Sequence, residues 1–269
     1  MKILHLFAGF AASLLVTISV AAAQDKLQRF NQFDEANDRV VDHQVWDDFL
    51  GTYVKTLADG RTVVDYGAVT DADKAVLKSY ISDLTSDDPT GLNKAEAFVY
   101  WVNLYNALTV DIIIDNYPLK SIRSIFSGLR PGPWQRKIAE VNGLKITLDN
   151  IEHGILRVFW SDNRVHYAVN CASIGCPNLL DRAFVVSTLD ADLDEAARVF
   201  VNHPRGIDIV DGRATASSIY NWFKQDFGGN DAGIIAHLSK YAEPDLKAEL
   251  AGISKINKYD YDWNLNDVE

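Results

Sequence analysis

The stretch NKAEAFVYWVNLYNALTVDIIID, residues 93–115, decides how this chain is organised. Asn93 is a typical helix N-cap residue, and Glu96 follows three positions later, which is the spacing of a capping box. Residues 116–118, Asn-Tyr-Pro, end the helix because the residue before a proline avoids helical backbone. Since nearly every side of this helix is apolar, the pattern predicts a central helix around which the other elements pack.

Three polar residues interrupt one side of this apolar helix. Glu96, Asn103 and Asn106 are seven and three positions apart, so they follow one another along a single stripe. A buried polar group without a hydrogen bond costs about 1–3 kcal/mol, so each of them needs a partner. The stripe is either a structural network that ties the helix to neighbouring loops or the wall of a binding site, and the sequence leaves both interpretations open.

Helices and hairpins alternate along the remaining chain. Asn142-Gly143 and Asp211-Gly212 each predict a hairpin turn between two short strands. Alternating side chains in RVHYAVN, residues 164–170, predict a further strand. This mixture predicts an α+β fold: a single domain over residues 24–269, with several helices packed on a mainly antiparallel sheet built from hairpins.

The first 23 residues have the pattern of an export signal. Lys2 precedes an apolar run, and Ala21, Ala22 and Ala23 are small residues of the kind a signal peptidase accepts. We therefore expect cleavage after Ala23 and a mature protein that is periplasmic or secreted. With 26 basic and 37 acidic residues, the chain has a net charge of −11 and is a poor candidate for binding nucleic acid. No later apolar run predicts a membrane span.

Two cysteines lie five positions apart in NCASIGCPN, residues 170–178. Export to an oxidising compartment favours a Cys171–Cys176 disulfide. A free nucleophilic thiol is the alternative: Cys176 precedes Pro177, which is typical of a first helical turn, and a helix N-terminus lowers the pKa of a thiol. Zinc binding together with nearby histidines, or a redox dithiol, fits the spacing less well. The disulfide and the nucleophile both stay open.

Two histidines are candidate bases for such a thiol. His153 precedes Arg157 by four positions, so the two side chains share one face of a predicted helix. His166 lies five positions before Cys171. A Cys–His pair also needs a third group that orients the imidazole. The candidates for this group are Glu152, Asn170, Asn103 and Glu96.

A basic segment extends from Lys120 to Lys137 without an acidic residue. In an acidic protein, this segment either attracts a carboxylate or phosphate of a ligand or is an ordinary solvated loop. We expect the partner to be a small molecule or a peptide with an anionic group.

Four segments of the chain together resemble the family called domain of unknown function 547. They are EAFVYWVNLYNALTV (96–110), IEHGILR (151–157), RVHYAVNCASIGCPNL (164–179) and YDWNLN (261–266). The family has no settled activity to carry over. The resemblance implies that a shared set of polar positions forms the family signature here: Glu96, Asn103, Tyr105, Asn106, Glu152, His153, Arg157, His166, Asn170, Cys171 and Cys176.

The leading functional prediction is a cysteine-dependent hydrolase or acyltransferase that acts on an amide, thioester or peptide bond. Cys176, or failing it Cys171, would attack the carbonyl carbon. His153 or His166 would accept the thiol proton, and Glu152 or Asn170 would hold the imidazole.

Two further roles complete this prediction. Asn103 or Asn106 would donate a hydrogen bond to the developing oxyanion, and Arg157 would bind a substrate carboxylate. The alternative is a non-enzymatic ligand-binding or interaction module in which the cysteines form a structural disulfide. Neither hypothesis includes a cofactor or a bound metal.

Overall fold

The computed structural model describes residues 26–268, so the predicted signal peptide, residues 1–23, lies outside the described residues. The first elements are helix α1 (Gln44–Tyr53), strands β1 (Val54–Thr56) and β2 (Thr62–Val64), helix α2 (Asp71–Ser86) and helix α3 (Lys94–Ile114). Strands β1 and β2 pair antiparallel. Helix α2 packs against both α1 and α3.

Helix α3 is the central helix, as predicted. The side-chain oxygen of Asn93 accepts the backbone N–H of Glu96 at 2.9 Å, and every residue from 96 to 110 is buried. The Glu96 carboxylate accepts the backbone N–H of Val41 at 2.7 Å instead of closing the predicted capping box. By length and composition α3 could cross a membrane, but 89% of its apolar window is buried inside the protein, as in the core helix of a globular domain.

Two small hairpins follow α3. Strand β3 (Phe126–Ser127) pairs with β4 (Arg130–Pro131), and β5 (Ala139–Val141) pairs with β6 (Leu144–Ile146). Asn142 and Gly143 have φ angles of 48° and 71°, which are the positive values of a type I′ turn. The hairpin predicted at this position is confirmed.

The helix that follows β6 begins with π-helical turns. Residues Asn150–Leu156 form a π-helix that continues into helix α4 (Arg157–Trp160). The side chains of Thr147 and Asn150 bond each other's backbone N–H at 3.0 and 3.1 Å and so hold its start. Such π-helical turns occur frequently at functional sites.

Two local predictions around the cysteines are wrong. Residues 164–170 do not form a strand, because Val165–Ala168 is helix α5. Asp162 turns the chain there, since its carboxylate accepts the backbone N–H of Arg164 at 2.8 Å and the Arg164 guanidinium at 2.7 Å. The helix predicted to begin at Pro177 is also missing: residues 177–185 contain neither helix nor strand.

The C-terminal part builds a second hydrophobic cluster. Its elements are α6 (Leu189–Val201), β7 (Ile207–Val210), β8 (Arg213–Ser217), α7 (Ser218–Trp222), α8 (Asp231–Tyr241), α9 (Pro244–Leu250) and β9 (Lys258–Asp260). Strands β7 and β8 form the predicted hairpin, with Asp211 and Gly212 at φ angles of 50° and 70°, and β9 joins β8 in parallel.

The α+β class is confirmed. Within residues 26–268 the strands are divided among three two-stranded sheets and one three-stranded sheet. Their pairing is antiparallel except between β8 and β9.

The C-terminal tail returns to the cysteine segment. The backbone N–H of Ile174 donates to Asn264 at 2.8 Å, and that of Gly175 donates to Asp262 at 2.9 Å. A Cβ on Gly175 would lie 2.9 Å from the backbone N and O of Asp262, so only glycine permits this approach. The pairing places the aromatic residues Tyr261 and Trp263 beside the cysteines.

Candidate functional site

A cavity of about 250 Å³ lies where the cysteine segment, the π-helix, the β3–β4 hairpin and the C-terminal tail meet. Its walls are largely aromatic and include Tyr105, Trp134, Trp222, Phe223, Tyr261 and Trp263. Polar side chains interrupt these walls at Asp149, Glu152, His153 and His166, and both cysteines line the cavity. Apolar walls with a few convergent polar groups are typical of small-molecule sites.

Cys171 and Cys176 form a disulfide on the wall of this cavity. Cys176 is only 3% exposed, whereas Cys171 is partly exposed. Because no helix begins at Pro177, no helix dipole acts on the Cys176 sulfur. The sequence-based preference for Cys176 as the nucleophile therefore has no structural support, and Cys171 is the more exposed of the two residues.

Three hydrogen-bond donors surround the two sulfur atoms. The Tyr261 hydroxyl lies 3.1 Å from the Sγ atoms of both cysteines. The Ser173 hydroxyl lies 3.2 Å from Cys171 Sγ and 3.6 Å from Cys176 Sγ. The backbone N–H of Cys171 donates to Cys176 Sγ at 3.0 Å. Such donors stabilise a sulfur atom that carries negative charge.

Asn170 shapes the loop between the cysteines. Its side-chain oxygen accepts the N–H of Ala172 at 2.8 Å, and its amide donates to Pro177 O at 2.8 Å. Asn106 of helix α3 accepts the backbone N–H of Asn170 at 2.9 Å and donates to Ala168 O at 2.9 Å. These bonds hold Ala172 in the left-handed region at φ 55°. The Asn170 side chain is thus bonded to the loop backbone rather than to an imidazole.

His166 and Asp226 form a buried imidazole–carboxylate pair. His166 Nε2 lies 2.7 Å from Asp226 Oδ2, and the His166 side chain is 1% exposed. Burial lowers the pKa of His166, although the carboxylates of Asp226 and Glu152 partly oppose this shift. The imidazole is therefore neutral at pH 7. Its Nε2–H donates to Asp226, and the Nδ1 lone pair is left to accept a proton.

Arg157 keeps Asp226 charged. Its guanidinium donates two hydrogen bonds to Asp226, at 2.6 and 3.0 Å. Partial burial alone would raise the pKa of Asp226, but the bonds from His166 and Arg157 hold that pKa well below its usual range. The carboxylate consequently stays ionised and fixes the tautomer of His166.

Glu152 faces both histidines from the π-helix. Its Oε1 lies 3.6 Å from His153 Nδ1 and 4.0 Å from His166 Nδ1. Its Oε2 accepts a hydrogen bond from the Tyr105 hydroxyl of helix α3 at 3.0 Å. Burial, and to a smaller extent the negative charge of Glu152, raises the pKa of Tyr105 well above its usual value. The predicted proximity of His153 and Arg157 is confirmed, at 3.3 Å from Nδ1 to the guanidinium.

The structure brings together only part of the predicted site. Among the predicted catalytic and binding residues, those that line the cavity are Glu152, His153, His166, Cys171 and Cys176. Arg157 lies behind them on Asp226 rather than in the cavity wall. In the basic segment, Arg130 is the basic residue that lines the cavity.

The polar stripe of α3 lies outside the cavity lining. Asn103 accepts the backbone N–H of Phe184 at 3.1 Å and donates to its carbonyl at 2.9 Å. Glu96 bonds Val41, and Asn106 bonds the cysteine loop. The side-chain amides of Asn103 and Asn106, which were predicted to donate to the oxyanion, thus already donate to backbone carbonyls.

The residues that bond the sulfurs or His166 but were absent from the sequence-based prediction are Ser173, Asp226 and Tyr261. Asp226 lies 60 positions after His166 in a short 3-10 helix, Lys224–Phe227, and no local motif marks it. Tyr261 belongs to the aromatic tail KYDYDWNLN, residues 258–266. The density of aromatic residues in this tail is the sequence feature that could have indicated a role in the site.

Within residues 26–268, no group of three or more His, Cys, Asp or Glu side chains is arranged to hold a metal ion. The family model described as "Protein of unknown function, DUF547" matches residues 89–201. That interval includes α3, the π-helix, His166 and both cysteines, whereas Asp226 and Tyr261 lie beyond it. No curated protein sequence and no solved structure matches the chain.

Proposed function

Because this chain belongs to the DUF547 family through residues 89–201, and the family description states no function, we propose a function from the cavity itself. The protein is a cysteine-dependent hydrolase or acyltransferase that acts in its reduced state. The observation that carries this proposal is the His166–Asp226 pair on the wall that also holds the two sulfur atoms.

Cys171 is the proposed nucleophile. Of the two sulfurs it belongs to the more exposed residue, and it becomes a thiol when the disulfide is reduced. His166 accepts the thiol proton at Nδ1, since Asp226 occupies Nε2. The Cys171 thiolate then attacks the carbonyl carbon and forms an acyl-enzyme, which water or an acceptor nucleophile resolves.

The developing oxyanion needs donors other than Asn103 and Asn106. The Tyr261 hydroxyl, 3.1 Å from Cys171 Sγ, and the Ser173 hydroxyl, 3.2 Å from it, are the side-chain donors beside the reacting sulfur. A well-placed donor of this kind contributes about 3–4 kcal/mol to the stability of the transition state. We assign the oxyanion role to these two groups.

The size of the cavity and its aromatic walls restrict the substrate to a small, partly aromatic molecule. The rings of Trp222, Tyr261 and Trp263 are tilted against one another with centroids 4.6–5.5 Å apart, and they form an apolar face. Arg130 is available for an anionic substituent, and Asp149 and Glu152 are available for a cationic one. Export to the periplasm, as the N-terminal pattern predicts, would place this activity outside the cytoplasm.

A second function is favoured by the closed disulfide. With both sulfurs joined, the cavity has no thiol nucleophile, and its aromatic walls alone suit a ligand-binding module. In that case the Cys171–Cys176 bond is a structural part of the wall.

Acylation of the reduced protein distinguishes the two functions. The protein is reduced, incubated with p-nitrophenyl acetate or an acetyl thioester, and analysed by intact mass. We expect acyl-enzyme on reduced wild type and none on the oxidised protein. Cys176→Ser, which cannot form the disulfide, should acylate without reductant.

Cys171→Ser and His166→Gln are the matched loss variants, and both should acylate much more slowly. Acylation of Cys171→Ser at the wild-type rate would rule out the proposed nucleophile. A ligand-dependent rise in melting temperature of the oxidised protein, without acylation in either redox state, would support the binding module instead.

A further inference from the structure

We infer that the Cys171–Cys176 disulfide is itself reactive: a small thiol that enters the cavity attacks Cys171, and Cys176 leaves as a hydrogen-bonded thiolate. The inference deepens the proposed function, because it states how the nucleophile of that site is released. It assigns a different role to each sulfur.

Exposure decides which sulfur is attacked. Both cysteines line the cavity, but Cys176 is 3% exposed and Cys171 is partly exposed. Thiol–disulfide exchange requires the incoming sulfur to reach one sulfur of the bond. A molecule in the cavity therefore meets Cys171 first.

Hydrogen bonding decides which sulfur leaves. The donor that distinguishes the two sulfurs is the Cys171 backbone N–H, which donates to Cys176 Sγ at 3.0 Å. The Tyr261 and Ser173 hydroxyls lie near both sulfurs, at 3.1 and 3.6 Å from Cys176 Sγ. A thiolate at this position would be stabilised by all three, and a better-stabilised thiolate leaves faster. The arrangement is present before the bond breaks, so little reorganisation is needed.

Arg205 keeps the loop in place through its backbone carbonyls. Its guanidinium donates to Cys176 O at 2.7 Å and to Ile174 O at 3.2 Å. Burial lowers the pKa of Arg205 to about 10, so the side chain is still charged at neutral pH. This cation holds the backbone around Cys176 and adds positive charge near the departing thiolate.

The exchange balances in two steps. The thiolate of the incoming molecule bonds to Cys171 Sγ, the sulfur–sulfur bond breaks, and its electron pair passes to Cys176 Sγ. A second thiolate then attacks the added sulfur and releases a small-molecule disulfide and the Cys171 thiolate. Two thiols are oxidised, the protein disulfide is reduced, and Cys171 is set free in the cavity that His166 also lines.

The two sulfurs are distinguished with single-cysteine variants. Cys176→Ser and Cys171→Ser each retain one thiol and are treated with 2-hydroxyethyl disulfide, and mixed-disulfide formation is followed by intact mass. We expect Cys176→Ser to react at least tenfold faster. Equal rates, or faster reaction at Cys176, would overturn the assignment of the attacked sulfur.

The leaving-group role is tested on the oxidised protein with 2-mercaptoethanol as the thiol. Tyr261→Phe and Ser173→Ala remove one donor each and should slow disulfide opening about five- to tenfold, since hydrogen bonds to charged groups are strong. Tyr53→Phe loses a hydroxyl that bonds Asp73 outside the cavity lining, and its disulfide should open at the wild-type rate. Unchanged opening in both site variants would overturn the inference.

The outcome is separable from that of the acylation experiment. Opening through Cys171 without any acyl-enzyme would support the exchange chemistry and reject the proposed hydrolase or acyltransferase. Acylation of the reduced protein combined with equal reactivity of the two sulfurs would do the reverse.

Discussion

The polar stripe of helix α3 and the polar wall of the cavity are both buried, yet their hydrogen bonds differ in kind. In the stripe, Asn103 bonds the backbone N–H and carbonyl of Phe184. In the wall, His166 bonds the carboxylate of Asp226, and Glu152 bonds the Tyr105 hydroxyl. Asn103 of the stripe bonds backbone groups that do not ionise. The wall, in contrast, pairs ionisable side chains that can exchange protons beside an open cavity.

The difference shows how a buried polar residue is best interpreted. A side chain whose bonds end on backbone groups stabilises one conformation, and its loss should reduce stability. A side chain paired with an ionisable partner on a cavity wall can serve chemistry, and its loss should reduce turnover. The following predictions, in order of expected effect, test this separation.

The largest effect is expected for His166→Gln. Glutamine fills similar space but cannot accept a proton at neutral pH, so turnover of p-nitrophenyl acetate by the reduced protein should fall about 10²–10⁴-fold. Urea unfolding measured on the same sample serves as the control for folding. Turnover within threefold of wild type would place His166 with the structural residues of the stripe.

Asn103→Leu tests the other side of the comparison. The substitution leaves a buried N–H and a buried carbonyl of Phe184 without partners, so the free energy of unfolding should fall by about 3–4 kcal/mol. The turnover of the folded, reduced protein should not change. Asn103→Asp, which retains the acceptor, should be less destabilised. Lost turnover with unchanged stability would mean that the stripe belongs to the site.

Acid unfolding tests the buried histidines His43 and His237, whose rings, unlike that of His166, are not bonded to a carboxylate. Burial lowers the pKa of both His43 and His237 to about 4. In the unfolded chain the pKa of a histidine is near 6.5, so below that pH the unfolded state binds protons that the folded state does not. Stability should therefore fall as pH drops from 6.5 towards 4, by about 1.5 kcal/mol per histidine between pH 6.5 and 5.

Urea unfolding of wild type and His43→Gln at pH 7 and pH 5 measures this contribution. The variant cannot take up a proton in either state, so it should lose less stability on acidification than wild type. Identical losses would show that His43 is not responsible for acid sensitivity.

The smallest effect is expected at the start of α3. Asn93→Ala removes the cap on the Glu96 N–H and should destabilise the protein by about 1 kcal/mol, and Asn93→Asp should restore most of it. Thermal unfolding of the three proteins measures the change. Because the cap lies outside the cavity lining, a loss of turnover in the folded Asn93→Ala protein would contradict the division between the two regions.

Local sequence patterns were sufficient for the elements that local forces hold. The cap at Asn93 and the turn at Asn142-Gly143 have partners within a few residues, and both are present as predicted. The apolar run of α3 packs on distant segments, but its length and composition were enough to predict a buried helix. The predictions at residues 164–170 and at Pro177 were wrong. There, a side-chain bond from Asp162 to Arg164 and a long-range pairing with the C-terminal tail outweigh the local pattern.

Sequence patterns were enough to predict the fold class, the central helix, the resemblance to the DUF547 family that the match over residues 89–201 supports, and five of the residues that line the cavity. Tertiary structure alone decided which partners those residues have. Asp226 bonds His166 although the two residues are 60 positions apart in the chain. Tyr261 contacts the cysteines although it is 85 or more positions away from them. Such partners depend on how helices and tail pack in three dimensions, because hydrogen bonds and charges act over a few ångströms of space and not along the sequence.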